Sequence, residues 1–206
     1  MPPALVDGGA GFLWPCQGIE PAGVRFLHLY AVDLARAPDG GWWVMADRTQ
    51  APSGAGYALQ NRLVISRAFP APFHNLPVTN LSEFFQGFQN SLAGMSPAGT
   101  ESPLCVLLTP GRFNETYFEH VFLARYLGLP LVEGQDLTVR DDTVYLKTLQ
   151  GLRRVHAIYR RLDDGFCDPL ELRADSVLGI PGPLGAGRAG KVVVANALGF
   201  GVGGGG

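Results

Sequence analysis

Leu104-Cys105-Val106-Leu107-Leu108-Thr109, Pro110-Gly111, Asn114 ahead of Glu115 to Leu127, Gly128, and Leu129-Pro130-Leu131-Val132 follow one another without a gap in pattern. The first run is apolar throughout, as in a strand buried on both faces of a parallel sheet. Asn114 can cap a helix over 115–127, and Gly128 supplies its stop. Leu129–Val132 starts the next short strand. Strand–helix–strand in this order predicts an α/β layer. Toward the C-terminus, Leu137–Arg140 and Thr143–Lys147 flank Asp141-Asp142 as a hairpin, and Val155–Arg161 reads as a further strand. Toward the N-terminus, Leu81 to Leu92 carries Phe84, Phe85 and Phe88 at helical spacing, with Ser82 as N-cap. A helix over Ala58 to Ala68 ends before Pro70 and Pro72. Thr49 to Tyr57 is a Gly-rich loop. It follows a hairpin of Phe26–Arg36 and Gly41–Arg48, turned at Pro38-Asp39-Gly40-Gly41. The expected organisation is a loop-rich lead-in (1–24), a hairpin, loop and helix part (25–100), a βαβ part (101–199) and a Gly-rich tail (200–206). No internal repeat is present.

The chain has 206 residues, 47% hydrophobic and 17% charged, so a packed core is expected. Gly 28 and Pro 16 make about a fifth of it, which predicts many turns and an irregular binding surface. A net charge of −2 argues against a partner bound through nucleic-acid phosphates. Three widely spaced cysteines, Cys16, Cys105 and Cys167, form no metal or disulfide pattern, and a reduced cytoplasmic setting is expected. No apolar run reaches the roughly 20 residues of a membrane span, and the first residues lack the pattern of a signal peptide. Gly203 to Gly206 cannot close a fold by packing, so an adjacent element is expected to be missing there.

Three stretches can carry chemistry. Asp33 and Asp47 lie on the two strands of the first hairpin and count as roughly level. Two carboxylates there need a cation between them, either Arg36 or Arg48 or Mg²⁺, or else they are solvated strand ends. The loop Ala51-Pro52-Ser53-Gly54-Ala55-Gly56-Tyr57 can converge its N–H groups on a phosphate, with Asn61 and Arg62 just beyond, or can be an ordinary tight turn. It is neither a Walker A loop nor a dinucleotide fingerprint. Thr109 to Glu115 follows a buried strand and opens a helix, where α/β sheets place ligands; a plain capped turn is the other reading. Glu119-His120 in that helix reads as a surface pair. Tyr159-Arg160-Arg161-Leu162-Asp163-Asp164-Gly165-Phe166-Cys167-Asp168 ends a strand with two Arg and three Asp. The Arg suit phosphate or carboxylate, and the acids can hold a metal or pair with the Arg. Cys167 reads as a buried thiol. With no Gly-x-Ser-x-Gly and no Ser-His-Asp set, a hydrolase is not expected.

Taken together, these blocks resemble the circularly permuted ATP-grasp family (type 2), whose members are similar to glutathionylspermidine synthase. The resemblance rests on Asp33 to Trp42, Asp47 to Arg62, Leu108 to His120, Val132 to Leu137, Tyr159 to Pro169 and Ala195 to Gly199. It implies an α/β, partial ATP-grasp-like fold with an antiparallel hairpin region and a parallel βαβ layer, truncated relative to longer family members. It implies ATP- and Mg²⁺-dependent carboxylate–amine ligation through an acyl phosphate, with small-molecule or peptide acyl and amine substrates; separately, no nucleic-acid or membrane partner is expected, and oligomeric state stays open, with exposed apolar surface at a truncated edge favouring self-association. The site so implied has Asp33 and Asp47 on the metal. Arg48, Ser53, Gly54, Gly56, Tyr57 and Asn61 surround the nucleotide, and Arg62, Arg160 and Arg161 hold phosphate or substrate. The chain departs from the family pattern at Ala46 and Arg48, where relatives carry a Glu-x-Asn metal motif, and at Gln60, where relatives carry Glu. Those departures favour the alternative, a degenerate non-catalytic binding or scaffold module.

Overall fold

A computed structural model of the chain describes residues 8–9, 11–21, 24–94, 96 and 102–199. The expected tail 200–206 lies outside them, as do parts of the lead-in. The centre is a parallel sheet of β3 (Cys105–Leu108), β4 (Leu131–Val132), β8 (Ala157–Arg160) and β9 (Val193–Ala195), in the order β4-β3-β8-β9. β3 is the strand expected from the apolar run. Alternation along it feeds two cores, one on each face of the sheet. Leu107 joins Tyr159, Ala157, Val193 and Ala195 on one face. Val106 and Leu108 join Ile158 and Val192 on the other. Each fully buried aliphatic side chain here contributes about 1.5–3 kcal/mol relative to exposure.

The first face is covered by three helices, α1 (Ala55–Ala68), α3 (Ser82–Ala93) and α4 (Tyr117–Leu127). They deliver Leu59, then Phe85, Phe88 and Leu92, then Leu123, Ala124 and Leu127. Of the expected Phe stripe, Phe84 points outward, because residues 85, 88 and 92 already fill the core-facing positions. α3 is not capped by Ser82. Its first turn is held by Asn80, whose Oδ1 accepts the Ser82 N–H at 2.9 Å. Asn114 does act at the start of α4, accepting the Thr116 N–H at 2.9 Å, and the helix begins at Tyr117 rather than 115. Gly128, at φ +68°, ends it as expected. Pro70 stops α1 but also opens α2 (Pro70–Asn75), as proline does at a first helical position.

The second face carries α5 (Pro183–Arg188) and an antiparallel sheet of β5 (Leu137–Arg140), β6 (Thr143–Thr148) and β7 (Gly151–Arg154). Asp141 and Asp142, both at positive φ, make the expected two-residue turn. β7 has no counterpart in the sequence reading. All four of its residues are exposed, so no apolar alternation marks it.

β1 (Ala31–Arg36) and β2 (Trp42–Arg48) form the expected hairpin, as a separate two-stranded ribbon. β1 starts five residues later than Phe26. The backbone at 28–29 is satisfied by a side chain instead of a ladder: Asn196 Oδ1 accepts the His28 and Leu29 N–H groups at 2.8 and 3.0 Å. Most of the ribbon is solvent-exposed, with Trp42, Trp43, Val44 and Met45 each more than half exposed. Among the described residues no helix is long and apolar enough to cross a membrane.

Candidate functional site

The two crossovers of the parallel sheet leave on opposite faces. β3 runs through α4 to β4 on one side, and β8 runs through α5 to β9 on the other. β3 and β8 are parallel neighbours, and the strand order advances in opposite directions from them. In open α/β sheets, ligands bind at such a switch point, beyond the carboxyl ends of the strands. Here the turn Thr109–Thr116 leaves β3, and Arg161–Asp168 leaves β8. The Gly-rich loop lies across them.

That loop is held at nearly every second residue. The Thr49 carbonyl accepts from Asn196 Nδ2 at 2.7 Å. Gln50 accepts from Arg160 Nη2 at 3.1 Å and donates to Asp164 Oδ2 at 2.6 Å. The Pro52 carbonyl accepts from Arg161 Nη1 at 2.6 Å. The Gly54 and Gly56 N–H groups both donate to Glu119 Oε1 at 2.8 Å. Glu119 Oε2 takes Arg161 Nη2 at 3.1 Å, an ion pair with both side chains almost fully buried. Ser53 alone in this stretch is exposed.

The carboxylate explains why α1 starts at Ala55 and not at Ala58. Glu119, from another helix, satisfies N–H groups at the α1 N-terminus, where an anion is favoured. Glu119-His120 is therefore not the surface pair expected. Both residues are fully buried. His120 sits in a chain of donors. The Gly111 N–H donates to Thr109 Oγ1 at 3.2 Å, and Thr109 Oγ1 lies 2.8 Å from His120 Nδ1. Thr116 Oγ1 lies 3.0 Å from Nε2 and donates to Asn114 Oδ1 at 2.7 Å. Thr116 has spent its hydrogen, so it accepts from Nε2–H, and Nδ1 accepts from Thr109. Burial first, and the Arg161 charge second, push the His120 pKa down to about 3. The imidazole is neutral and braces the turn after β3.

Arg160 and Arg161, expected to face phosphate or substrate, point into the protein instead. Arg160 is fully buried and donates to the Asn196 carbonyl at 2.8 Å and the Leu162 carbonyl at 2.7 Å, besides Gln50. The acids do not gather on a metal, nor do Asp164 and Asp168 bond the two Arg. Asp168 is fully buried and accepts the N–H groups of Leu170, Gly182 and Leu184, fixing the start of α5. Asp164 accepts from Gln50 and from the Gly199 N–H at 3.1 Å. Cys167 is buried as expected, its thiol raised to about 12 by burial.

On the ribbon, the register corrects the pairing of Asp33 with Asp47. Asp33 stands opposite Ala46 and Asp47 opposite Val32, with a bulge after Asp33. Directly opposed residues share a face, so the two carboxylates lie on opposite faces of the ribbon. Asp33 pairs with Arg48 at 2.6 Å, and Asp47 accepts the Tyr30 hydroxyl. Arg62 donates to the Val78 carbonyl at 3.0 Å and stacks on Phe73. Tyr57 stacks on Phe118, and Asn61 is exposed on α1. Of the residues picked from sequence, the fold gathers Ser53, Gly54, Gly56, Arg160 and Arg161, and leaves Arg62, Asn61 and the ribbon pair apart from them. Gln50, Glu119, His120 and Asn196 complete the cluster and were not picked. Glu119 had a readable signal, because it precedes Leu123 and Leu127 by one and two turns of the core stripe.

The sequence profile of the circularly permuted ATP-grasp type 2 family matches residues 1–204. An uncharacterized protein of Synechocystis, sll0335, is 42% identical over 202 residues, covering 98% of this chain and 42% of the relative. An uncharacterized Mycobacterium tuberculosis protein, Rv2411c, is 44% identical over 204 residues, covering 98% of this chain and 37% of the relative. A second from that organism, Rv2567, is 41% identical over 202 residues, 98% of this chain and 23% of the relative. The chain thus spans less than half the length of each of these. With its mixed α/β architecture, antiparallel sheets and four-stranded parallel sheet, the chain belongs to the circularly permuted ATP-grasp type 2 family.

Proposed function

We propose that the chain is part of an ATP-dependent carboxylate–amine ligase, with the loops at the carboxyl ends of β3 and β8 serving the acyl and amine substrates. The family match over residues 1–204 carries this reading. The braced loops at the carboxyl ends of β3 and β8 support it, since rigid backbone at a switch point is what substrate positioning needs.

The family's ATP and Mg²⁺ do not fit the described residues by themselves. No group of three or more His, Cys, Asp or Glu side chains that could hold a metal ion is found among them. Asp33 and Asp47 face apart, the Gly54 and Gly56 amides are spent on Glu119, and Arg160 and Arg161 are engaged inside. Contacts from this chain to a phosphate are proposed for groups left outside: Ser53 on the loop, Arg112 in the turn after β3, and Arg48 once parted from Asp33. Further ligands would come from outside the described residues.

One observation favours a second reading, a non-catalytic binding or scaffold module. The features that look most like a phosphate site are satisfied from within, and Ala46 and Arg48 stand where metal ligands are expected. ADP release decides between the two. A relative of full length, given Mg-ATP with pooled carboxylates and amines, forms ADP only with both present if the first reading holds. ATP bound without turnover supports the second. No nucleotide binding at all refutes the first.

A further inference from the structure

We infer that Glu119 is the built-in occupant of the Gly-rich loop's anion site: a positioning residue that holds the loop over the carboxyl ends of β3 and β8 and shuts external phosphate out of that site. The inference stands apart from the proposed ligase activity, because it concerns only groups within this chain.

Three observations converge. The Gly54 and Gly56 N–H groups and the Arg161 guanidinium close on one carboxylate from two sides, with Gly56, Arg161 and Glu119 buried and Gly54 half-buried. The two glycines are shaped for that carboxylate. Gly54 sits at φ +116°, which side chains rarely adopt and which aims its N–H inward. A Cβ on Gly56 would lie 2.7 Å from Glu119 Cγ and 3.3 Å from its Oε1, so only glycine admits the side chain. Arg161 also donates to the Pro52 carbonyl at 2.6 Å and the Tyr159 hydroxyl at 3.3 Å, and its buried Nε finds no partner among the described residues. The guanidinium is thus held against Glu119, Pro52 and Tyr159 although its own set of bonds is incomplete. The result is an oxyanion nest occupied by a carboxylate of the chain itself. With Pro52, Gly54 and Gly56 all fixed, Ser53 is the side chain the loop presents to solvent.

Chemical rescue tests this. Glu119→Ala removes a CH₂–COO⁻ unit, the size and charge of acetate, and leaves the two amides and Arg161 facing the space. The expected result is a lowered midpoint of thermal unfolding that acetate partly restores. At ten times its dissociation constant acetate raises the midpoint by about 3–6 °C more in Glu119→Ala than in the parent chain. Acetamide, uncharged and of the same shape, does not. Inorganic phosphate leaves the parent chain's midpoint unmoved beyond its general salt effect, measured with sodium chloride at matched ionic strength as reference. Equal acetate responses in parent and variant, or equal rescue by acetamide, overturn the inference. So does a phosphate shift in the parent chain that Gly56→Ala abolishes. Should Glu119→Ala fail to fold, amide hydrogen exchange on the parent chain decides. Slow exchange at Gly54 and Gly56 supports the occupied nest, and exchange at unprotected rates overturns it.

Discussion

Replacing Arg161 with Met removes the cation facing Glu119 and leaves a carboxylate in a site with almost no access to water. The magnitude follows from what is left behind. Breaking one side of a buried ion pair costs about 3–5 kcal/mol, because the remaining charge is uncompensated. The bond to the Pro52 carbonyl is also lost, at about 1.5–3 kcal/mol for a charged donor. Against this, the unpartnered Nε disappears, which returns roughly 1–3 kcal/mol. The net expectation for Arg161→Met is a loss of about 4 kcal/mol. Glu119→Gln, which keeps an oxygen for the Gly54 and Gly56 amides, is expected to lose about 3 kcal/mol. In the double variant no lone charge remains, so the losses fall short of additive by about 2–3 kcal/mol. Urea unfolding of the four proteins, with the slope checked for constancy, measures this directly. Losses that add within about 0.5 kcal/mol would refute the coupling and with it the account of the cluster.

Three further outcomes are expected. His120 is neutral in the folded chain, with a pKa of about 3 against an ordinary 6.5, so the folded state binds fewer protons than the unfolded state between those values. Its stabilisation is therefore complete above about pH 6.5 and is lost as pH falls, by about 2 kcal/mol at most between pH 7 and 5. His120→Gln loses that part of the slope in urea midpoints compared at the two pH values, and an unchanged slope contradicts the buried neutral assignment. Gly56→Ala puts a methyl 2.7 Å from Glu119 Cγ and is expected to cost about 1–3 kcal/mol, whereas the same change at Gly87, with open space around it, stays below about 1 kcal/mol; equal effects refute the close approach. The ribbon's exposed Trp42, Trp43, Val44 and Met45 are expected to drive concentration-dependent self-association of this chain. Light scattering should show it reduced by Trp43→Lys, and a monomer at all concentrations would count against it.

The layer architecture was readable because β3 and α4 carry their patterns whole. Cys105 to Leu108 is apolar on both faces, and Asn114 and Gly128 punctuate the helix. The turn at Asp141-Asp142 was likewise local chemistry. The cluster was only half readable. The glycines at 54 and 56 signal an anion, and an anion is there, but a sequence does not say that it is Glu119, 63 residues downstream of Gly56. Arg160 and Arg161 look like ligands for the same reason. Strand alternation would send them to opposite faces, and only the folded sheet shows that Asn196, Gln50 and Glu119 meet them there. The ribbon failed on a different point. Counting outward from the turn assumes an unbroken ladder, and the bulge between Asp33 and Leu34 shifts the register, which turns Asp33 and Asp47 to opposite faces.

The most direct test of the central claim, that this chain's Gly-rich loop is closed by its own carboxylate, is thermal unfolding with and without Mg-ATP, run on this chain and on a full-length relative. A ligand at about 100 times its dissociation constant adds roughly 2.7 kcal/mol, or about 5–11 °C for a protein of this size. The account predicts a shift of that order in the longer protein and less than about 1 °C in this chain. A full shift in this chain, lost in Asp33→Asn or Gly56→Ala, would contradict it, because nucleotide would then occupy the loop and ribbon that the structure shows satisfied from within.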